Sequence, residues 1–367
     1  MAQAGLHVEV LALNGVGLRS AFSLGSLRRR GESVSGRLKE QVEAQLVIPG
    51  SEKGKALRWS RRMAGLVSDH IRQSGQPDLI HVHSSMWAGL AASYIRRTHG
   101  IPYLITEHRG RFISGNLEAE KMLSPWHIPL LKAAFDGAER VVTVSHALQG
   151  KILEISPDCT GRMETIPNMV DTTFFVPGQP RGTEPFVFLC LASLDHLKGL
   201  DTLLLALGKL KRKNTGSVRL IIGGEGPMKE ELKGLTRKLS LEADVRFTGQ
   251  LDREAVRQHL QSVHAFVLPS RYEAFGVVLI EAMACGLPVI ASQAGGAPEI
   301  VRDDNGMLVP PDDPESLASA MDSLVRNPER YHAEAIRSYA ERNFGRYVVA
   351  GAYLKIYQKI INTRKEQ

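Results

Sequence analysis

Cysteine is scarce in this 367-residue chain: Cys159, Cys190 and Cys285 stand far apart, odd in number and in no C-x-x-C pairing. That excludes a disulfide scaffold and a structural zinc site, and it favours a reducing compartment. Long apolar runs are missing too, and none approaches the roughly 20 residues needed to cross a bilayer. The opening MAQAGLHVEVLALN lacks the basic start and apolar stretch of a signal peptide. The expected location is therefore the cytoplasm. No Asp-x-Asp pair occurs, so one common way of holding a divalent metal is absent. There is no G-x-S-x-G elbow. Gly50–Lys55 falls one residue short of a P-loop and is followed by Ala56 rather than Ser or Thr. No G-x-G-x-x-G follows a strand with an acid about 20 residues on, which argues against a dinucleotide enzyme.

Charge is plentiful and uneven. The net charge is +7, and residues 1–75 hold 12 Lys/Arg against 6 Asp/Glu, so nearly all the excess sits in one fifth of the chain. A basic block of this kind suits an anionic membrane surface or a phosphate-rich substrate. Aromatics are only 6% of the chain, and Trp59 is the lone Trp of the block. The aromatic interleaving of a single-strand reader is thus missing, and no nucleic-acid partner is expected.

With 43% apolar residues, the length suggests two domains, each large enough for its own core. Strands are predicted at His7–Leu13, Leu79–His83, Tyr103–Thr106, Val141–Val144, Phe186–Ala192, Val218–Ile222, Val245–Thr248, Ala265–Leu268 and Pro288–Ala291. Most read as continuous apolar runs, as strands covered on both faces do. Helical stretches such as Leu200–Lys213, Met228–Leu239 and Ala255–Ser262 separate them. This alternation predicts an α/β protein with parallel sheets. Asp171–Pro185, with three prolines and two glycines, is the expected linker. A cleft between the halves is the expected site, because open α/β sheets bind ligands at strand carboxyl ends. Residues 14–55 carry few apolar residues and are expected to form a long loop with one helix.

The most informative stretch is Ser270–Glu299, SRYEAFGVVLIEAMACGLPVIASQAGGAPE. Glu273 and Glu281 are eight positions apart with Gly276 between them and a helical pattern after it. At that spacing the carboxylates lie about two turns apart on nearly one face. With Glu273 in the loop and Glu281 in the helix, one reaches a ligand at the helix start and the other accepts hydrogen bonds from a diol. Gly276 lets backbone come close, and the N–H groups of the helix start then suit an anion.

The whole segment resembles the signature of retaining glycosyltransferases of the large family 4: E-x-F-G, then E-A-M-A-x-G-x-P-V-I-A-S, then G-G-x-P-E. The resemblance extends to IPNMVD at Ile166–Asp171, Lys198–Asp201 (K-G-x-D), GGEGP at Gly223–Pro227 and NGMLVPPDDPESLA at Asn305–Ala318. It implies a GT-B fold of two Rossmann-like parallel-sheet domains facing across a cleft. Residues 1–175 would form an acceptor domain and 185–345 a nucleotide-sugar domain, with the helix of 346–367 crossing back to the first.

The same resemblance implies residue roles. Glu281 matches the acid that hydrogen-bonds the donor ribose, and Glu273 its partner near the donor sugar. Phe275, Gly276 and Val277 would shape the sugar–diphosphate pocket, with Gly224 near the diphosphate and Asn168 also on the donor side. Lys198 matches the lysine that neutralises the departing diphosphate, where a fixed cation helps most in the transition state. The pattern breaks at Ser193, which stands where an Arg is expected five positions before Lys198. In the first half, Tyr103–Phe112 reads YLITEHRGRF. His108 would hydrogen-bond a donor-sugar hydroxyl, while Arg109, Arg111 and His83 would face the acceptor. His81-Val82-His83 suggests a metal pair, but no third ligand of suitable spacing accompanies it. Cys285 reads as a small core residue.

The implied activity is a retaining, metal-independent transfer from a nucleoside-diphosphate sugar to a glycan or lipid-linked acceptor, serving a bacterial surface polysaccharide. Other GT-B enzymes, an epimerase or phosphorylase, are the first alternative; an inactive nucleotide-sugar-binding protein, given Ser193, is the second. The N-terminus departs from the family. Gly5–Val10 resembles the family's second strand, which suggests a missing first βα unit. The rival reading makes His7–Leu13 the first strand and Gly15-x-Gly17 its loop. Because no Asp-x-Asp is present, activity is expected to persist in excess EDTA; loss on chelation that Mg2+ or Mn2+ restores would overturn metal independence.

Overall fold

In the computed structural model, described residues are 6–16, 28–32, 38–46, 50–113, 123–179, 182, 184–213 and 217–366. They group into two compact units. The first comprises Met1–Thr143, Leu148–Ile166 and Ala350–Gln367; the second comprises Val144–Ala147 and Pro167–Val349.

The first unit holds two sheets. In one, β1 (Val8–Val16) pairs parallel with β3 (Leu38–Leu46), Val8 lying opposite Leu38, and β2 (Arg28–Glu32) pairs antiparallel with β3. This corrects the loop expected over residues 14–55 where the chain is described; residues 17–27, 33–37 and 47–49 lie outside the described residues. The reason is local: LKEQVEAQL alternates polar with mostly apolar residues, the period of a half-covered strand, and carries no continuous run. Gly15 is paired within β1, opposite Gln45, rather than standing in a loop; Gly5 and Gly17 lie outside the described residues.

The other sheet is parallel, in the order β4-β5-β6-β7, from Ile80–His83, Tyr103–Glu107, Arg140–Thr143 and Met163–Thr165. Every residue of β5 is buried, as a strand covered on both faces requires. The helix Glu52–Ser74 packs Met63, Ala64 and Leu66 against Ala91, Ile95 and Ile101. Its Ser51 side chain accepts from Gly54 N at 3.2 Å, so the near-P-loop Gly50–Lys55 is a helix cap and first turn. From Ala350 onward, the helix Arg346–Lys365 belongs to this unit. Its Tyr357 hydroxyl lies 2.6 Å from His81 Nδ1, and its Tyr353 hydroxyl 3.0 Å from Thr106 Oγ1.

The second unit is one six-stranded parallel sheet, order β10-β9-β8-β11-β12-β13. Its strands are β8 (Phe186–Leu191), β9 (Val218–Gly223), β10 (Val245–Gly249), β11 (Ala265–Leu268), β12 (Val289–Ser292) and β13 (Gly306–Val309). Helices separate them for plain sequence reasons. In Leu200–Arg212, buried Leu200, Leu203, Leu204 and Leu207 recur at helical spacing, with Asp201 in the first turn and Lys209, Lys211 and Arg212 in the last. The chain runs outward from β8 in one direction, then returns to start β11 on its other side. The loops after β8 and β11 therefore flank the sheet's topological switch point, where such sheets bind ligands. Among the described residues, no helix is long and apolar enough to cross a membrane.

Phe188, fully buried in central β8, tests this core. Phe188→Ala is expected to cost about 3–5 kcal/mol, lowering the second unit's melting temperature by on the order of 10 °C in calorimetry.

Candidate active site

At the switch point the loop after β8 meets the loops after β11 and β9 through main chain. Gly199 follows Lys198 with φ +62, and a Cβ there would lie 2.1 Å from Pro269 O. Gly224 has φ +135, and its Cβ would lie 1.9 Å from Ala192 O. Only glycine tolerates either approach. Backbone bonds complete the seam: Leu194 N donates to Glu225 O at 3.0 Å, and Met228 N to Leu194 O at 2.9 Å. The K-G-x-D glycine thus packs on the loop after β11, and GGEGP packs on Ala192 and Leu194 of the loop after β8.

Lys198 ends a short 3-10 turn capped by Asp195, whose carboxylate accepts from Leu197 N at 2.9 Å. Ser193 Oγ donates to the same carboxylate at 2.5 Å, so the residue at the expected Arg position buttresses this turn. The Lys198 ammonium donates to Glu273 Oε2 at 2.8 Å, both side chains being largely buried, and Ser270 Oγ donates to the same oxygen at 3.3 Å. The two residues predicted beside the donor sugar and diphosphate are therefore an ion pair in the free protein.

Glu273 lies in the loop after β11, and Glu281 in the helix Val277–Ala284 that Gly276 opens with φ +99, as the spacing predicts. Half-exposed Val277 starts that helix, while buried Phe275 packs edge-to-face on Phe344 at 5.9 Å. Burial pushes the Glu281 carboxyl up to about 7, partly offset by the Arg253 guanidinium. Arg253 stacks over the Phe174 ring at 4.2 Å and pairs with Asp171 at 3.4 Å. Asn168 lies in the same unit, next to exposed Met169 and two residues before Val170, which bridges to Gly345. Gly296 of G-G-x-P-E donates its N–H to Glu273 O at 3.0 Å.

In the first unit, His83 and His108 stand at the ends of β4 and β5, with His83 Nδ1 and His108 Nε2 3.0 Å apart. His81 stacks on His83 at 4.3 Å and is bonded at both nitrogens, to Tyr357 and Thr106. Burial, then the neighbouring imidazoles, push His81 down to about 3, and the same causes lower His83. The row is stacked rather than convergent, and no three His, Cys, Asp or Glu side chains among the described residues could hold a metal. Fully buried Glu107 organises the turns around it, accepting from Ser85 N and Oγ at 2.8 and 2.5 Å and from His108 N and Arg109 N at 3.1 and 2.9 Å. Arg109 is exposed, and Arg111 reaches the Met86 sulfur.

Sequence reasoning missed Glu107, Arg253 and Arg271, whose guanidinium forks onto Asp201 at 2.9 and 2.7 Å. Glu107 was legible as a carboxylate ending a buried strand. Arg253 and Arg271 were not, since their partners lie some 70–80 residues away.

Lys198, Glu273 and Glu281 thus stand together at the switch point of a parallel-sheet unit. Two family models cover the chain: "Glycosyltransferase Family 4" matches residues 1–174 and "Glycosyl transferases group 1" residues 171–342. The chain belongs to glycosyltransferase family 4 and is a transferase of the GT-B fold. Glycogen synthase of Mycobacterium tuberculosis is 29% identical over 297 residues, 78% of this chain and 69% of that protein. A GDP-mannose-dependent alpha-(1-6)-phosphatidylinositol monomannoside mannosyltransferase of Mycolicibacterium smegmatis is 33% identical over 191 residues, 47% of this chain and 50% of its own length. Sucrose-phosphate synthase of Thermosynechococcus elongatus shares the fold with TM-score 0.79 at 22% identity, over 99% of this chain and 91% of that one.

The raised Glu281 carboxyl has a stability consequence. Its folded value, about 7, exceeds the ordinary 4.5, so its stabilising contribution is full below about pH 4.5 and lost as pH rises through 7. Glu281→Gln mimics the protonated acid. Its melting temperature is expected to match wild type near pH 4.5 and exceed it by a few degrees at pH 8, read by thermal denaturation across that range.

Proposed function

We propose that this protein is a retaining, metal-independent glycosyltransferase that moves a sugar from a nucleoside-diphosphate donor to a glycan or lipid-linked acceptor in bacterial surface polysaccharide synthesis. The Lys198–Glu273 pair at the switch point carries the reading. Support for a nucleotide-sugar donor comes from the mannosyltransferase relative, whose name specifies GDP-mannose. The same name, specifying a phosphatidylinositol mannoside, supports a lipid-linked acceptor, as does the basic N-terminal block as a peripheral membrane contact.

The chemistry follows from charge. In the free protein Glu273 neutralises Lys198. An arriving diphosphate competes for that ammonium, which then meets the charge developing as the sugar–phosphate bond breaks. Glu273, so released, accepts hydrogen bonds from the donor sugar's hydroxyls. Glu281 accepts from the ribose diol, and Gly224 and the Gly276 helix start flank the diphosphate. The acceptor oxygen bonds to the anomeric carbon on the face the diphosphate leaves, and its proton passes to the leaving phosphate oxygen. Ser193 supplies no cation, so Lys198 and backbone donors neutralise the leaving group.

A panel of UDP-, GDP- and ADP-sugars with measured nucleoside-diphosphate release tests this. Release from one donor, with product mass rising by one sugar, supports the reading; binding without release favours the sugar-nucleotide-binding alternative. With an active donor, Glu273→Gln should lower kcat and Glu281→Ala should raise KM, each about 10- to 150-fold for a charge-assisted bond of about 1.5–3 kcal/mol. Wild-type kinetics in both variants would overturn the site.

A further inference from the structure

We infer that Arg271 is a positioning residue that holds Lys198 in register with Glu273 by binding the loop on both sides of that lysine. The inference rests on the reading of Lys198 and Glu273 given above. Arg271 follows β11 and lies two residues before Glu273. Its backbone N–H donates to Leu197 O at 2.8 Å, and its Nη1 to His196 O at 2.6 Å, so it grips the two residues before Lys198. Nη1 and Nη2 then fork onto Asp201 at 2.9 and 2.7 Å, three residues after Lys198, and Nε donates to Asp312 at 2.5 Å. The side chain is 15% exposed.

One planar guanidinium therefore fixes the lysine's turn at both ends while its own main chain leads directly into Glu273. A lysine cannot reproduce the fork, because a point charge has no second parallel donor at fixed spacing. Asp201 stays below the usual carboxylate range despite the desolvation of its site, through its bonds to Arg271. The loops do not need this grip merely to meet, since Gly199 already touches Pro269 O through main chain. What the fork adds is orientation. It assigns the K-G-x-D aspartate a partner 70 residues away, at the other strand of the switch point.

The test compares Arg271→Lys, Asp201→Asn and the double variant in the full chain, using the donor identified by the panel. Expected are a 10- to 100-fold fall in kcat, a donor KM within threefold of wild type, and a double variant no worse than the single ones. A wild-type kcat in Arg271→Lys, or kcat losses that multiply, would overturn the inference. A second readout is independent of activity: the rate at which acetic anhydride labels Lys198, against exposed Lys238 as reference, by peptide mass spectrometry. Loosening the turn should speed Lys198 labelling several-fold in Arg271→Lys and in Asp201→Asn; unchanged labelling would overturn the inference. If no donor is turned over even by wild type, the transfer reading fails, and the labelling alone decides the positioning. Asp201→Asn keeps the guanidinium and serves if Arg271→Lys does not fold.

Discussion

Two places where main chain presses on main chain set the second unit's chemistry: Gly199 against Pro269 O, and Gly224 against Ala192 O. Any side chain at either position would need space that another backbone already fills. These contacts bring the loop after β8 against the loops after β11 and β9, so that side chains from distant motifs share one small region. Without that approach, Lys198 and Glu273 would be two surface charges. With it, they form a largely buried pair at 2.8 Å, in surroundings where charge interactions are stronger than in water.

The electrostatic design is one of balance held in reserve. Lys198 is paired with Glu273, and burial pushes the Glu281 carboxyl up to about 7. Arg271 and Asp195 both bond to the turn that carries the lysine. The first unit solves a different problem. Fully buried Glu107 is satisfied by four donors from two turns, and the stacked histidines beside it are held toward the neutral form. Held neutral, each imidazole can donate one hydrogen bond and accept another.

Elements covered on both faces were readable from the chain. Strands β4, β5, β6 and β8 to β12 all fall within a residue or two of their apolar runs; in β5, β11 and β12 every residue is buried, which leaves little choice of residue. β2 and β3 were not readable this way, because one alternates and the other begins Arg28-Arg29-Arg30, where no apolar signal exists. β7 was missed because Met163-Glu164-Thr165 holds no apolar run, and β13 because its short run Met307-Leu308-Val309 is bounded by Gly306 and Pro310. They become strands through the neighbour they pair with.

The sequence by itself determined the family, the alternation of strand and helix, and the local framing of the carboxylates, with Gly276 opening the helix between Glu273 and Glu281. Those are short-range properties, written in spacing and residue type. Only the tertiary structure decided that Lys198 pairs with Glu273 across 75 positions, that Ser193 braces Asp195, and that Arg271 spans the lysine's turn. Such partners are chosen by sheet order: adding β11 beside β8 places loops together that the chain itself keeps 70 residues apart, and no local pattern records that choice.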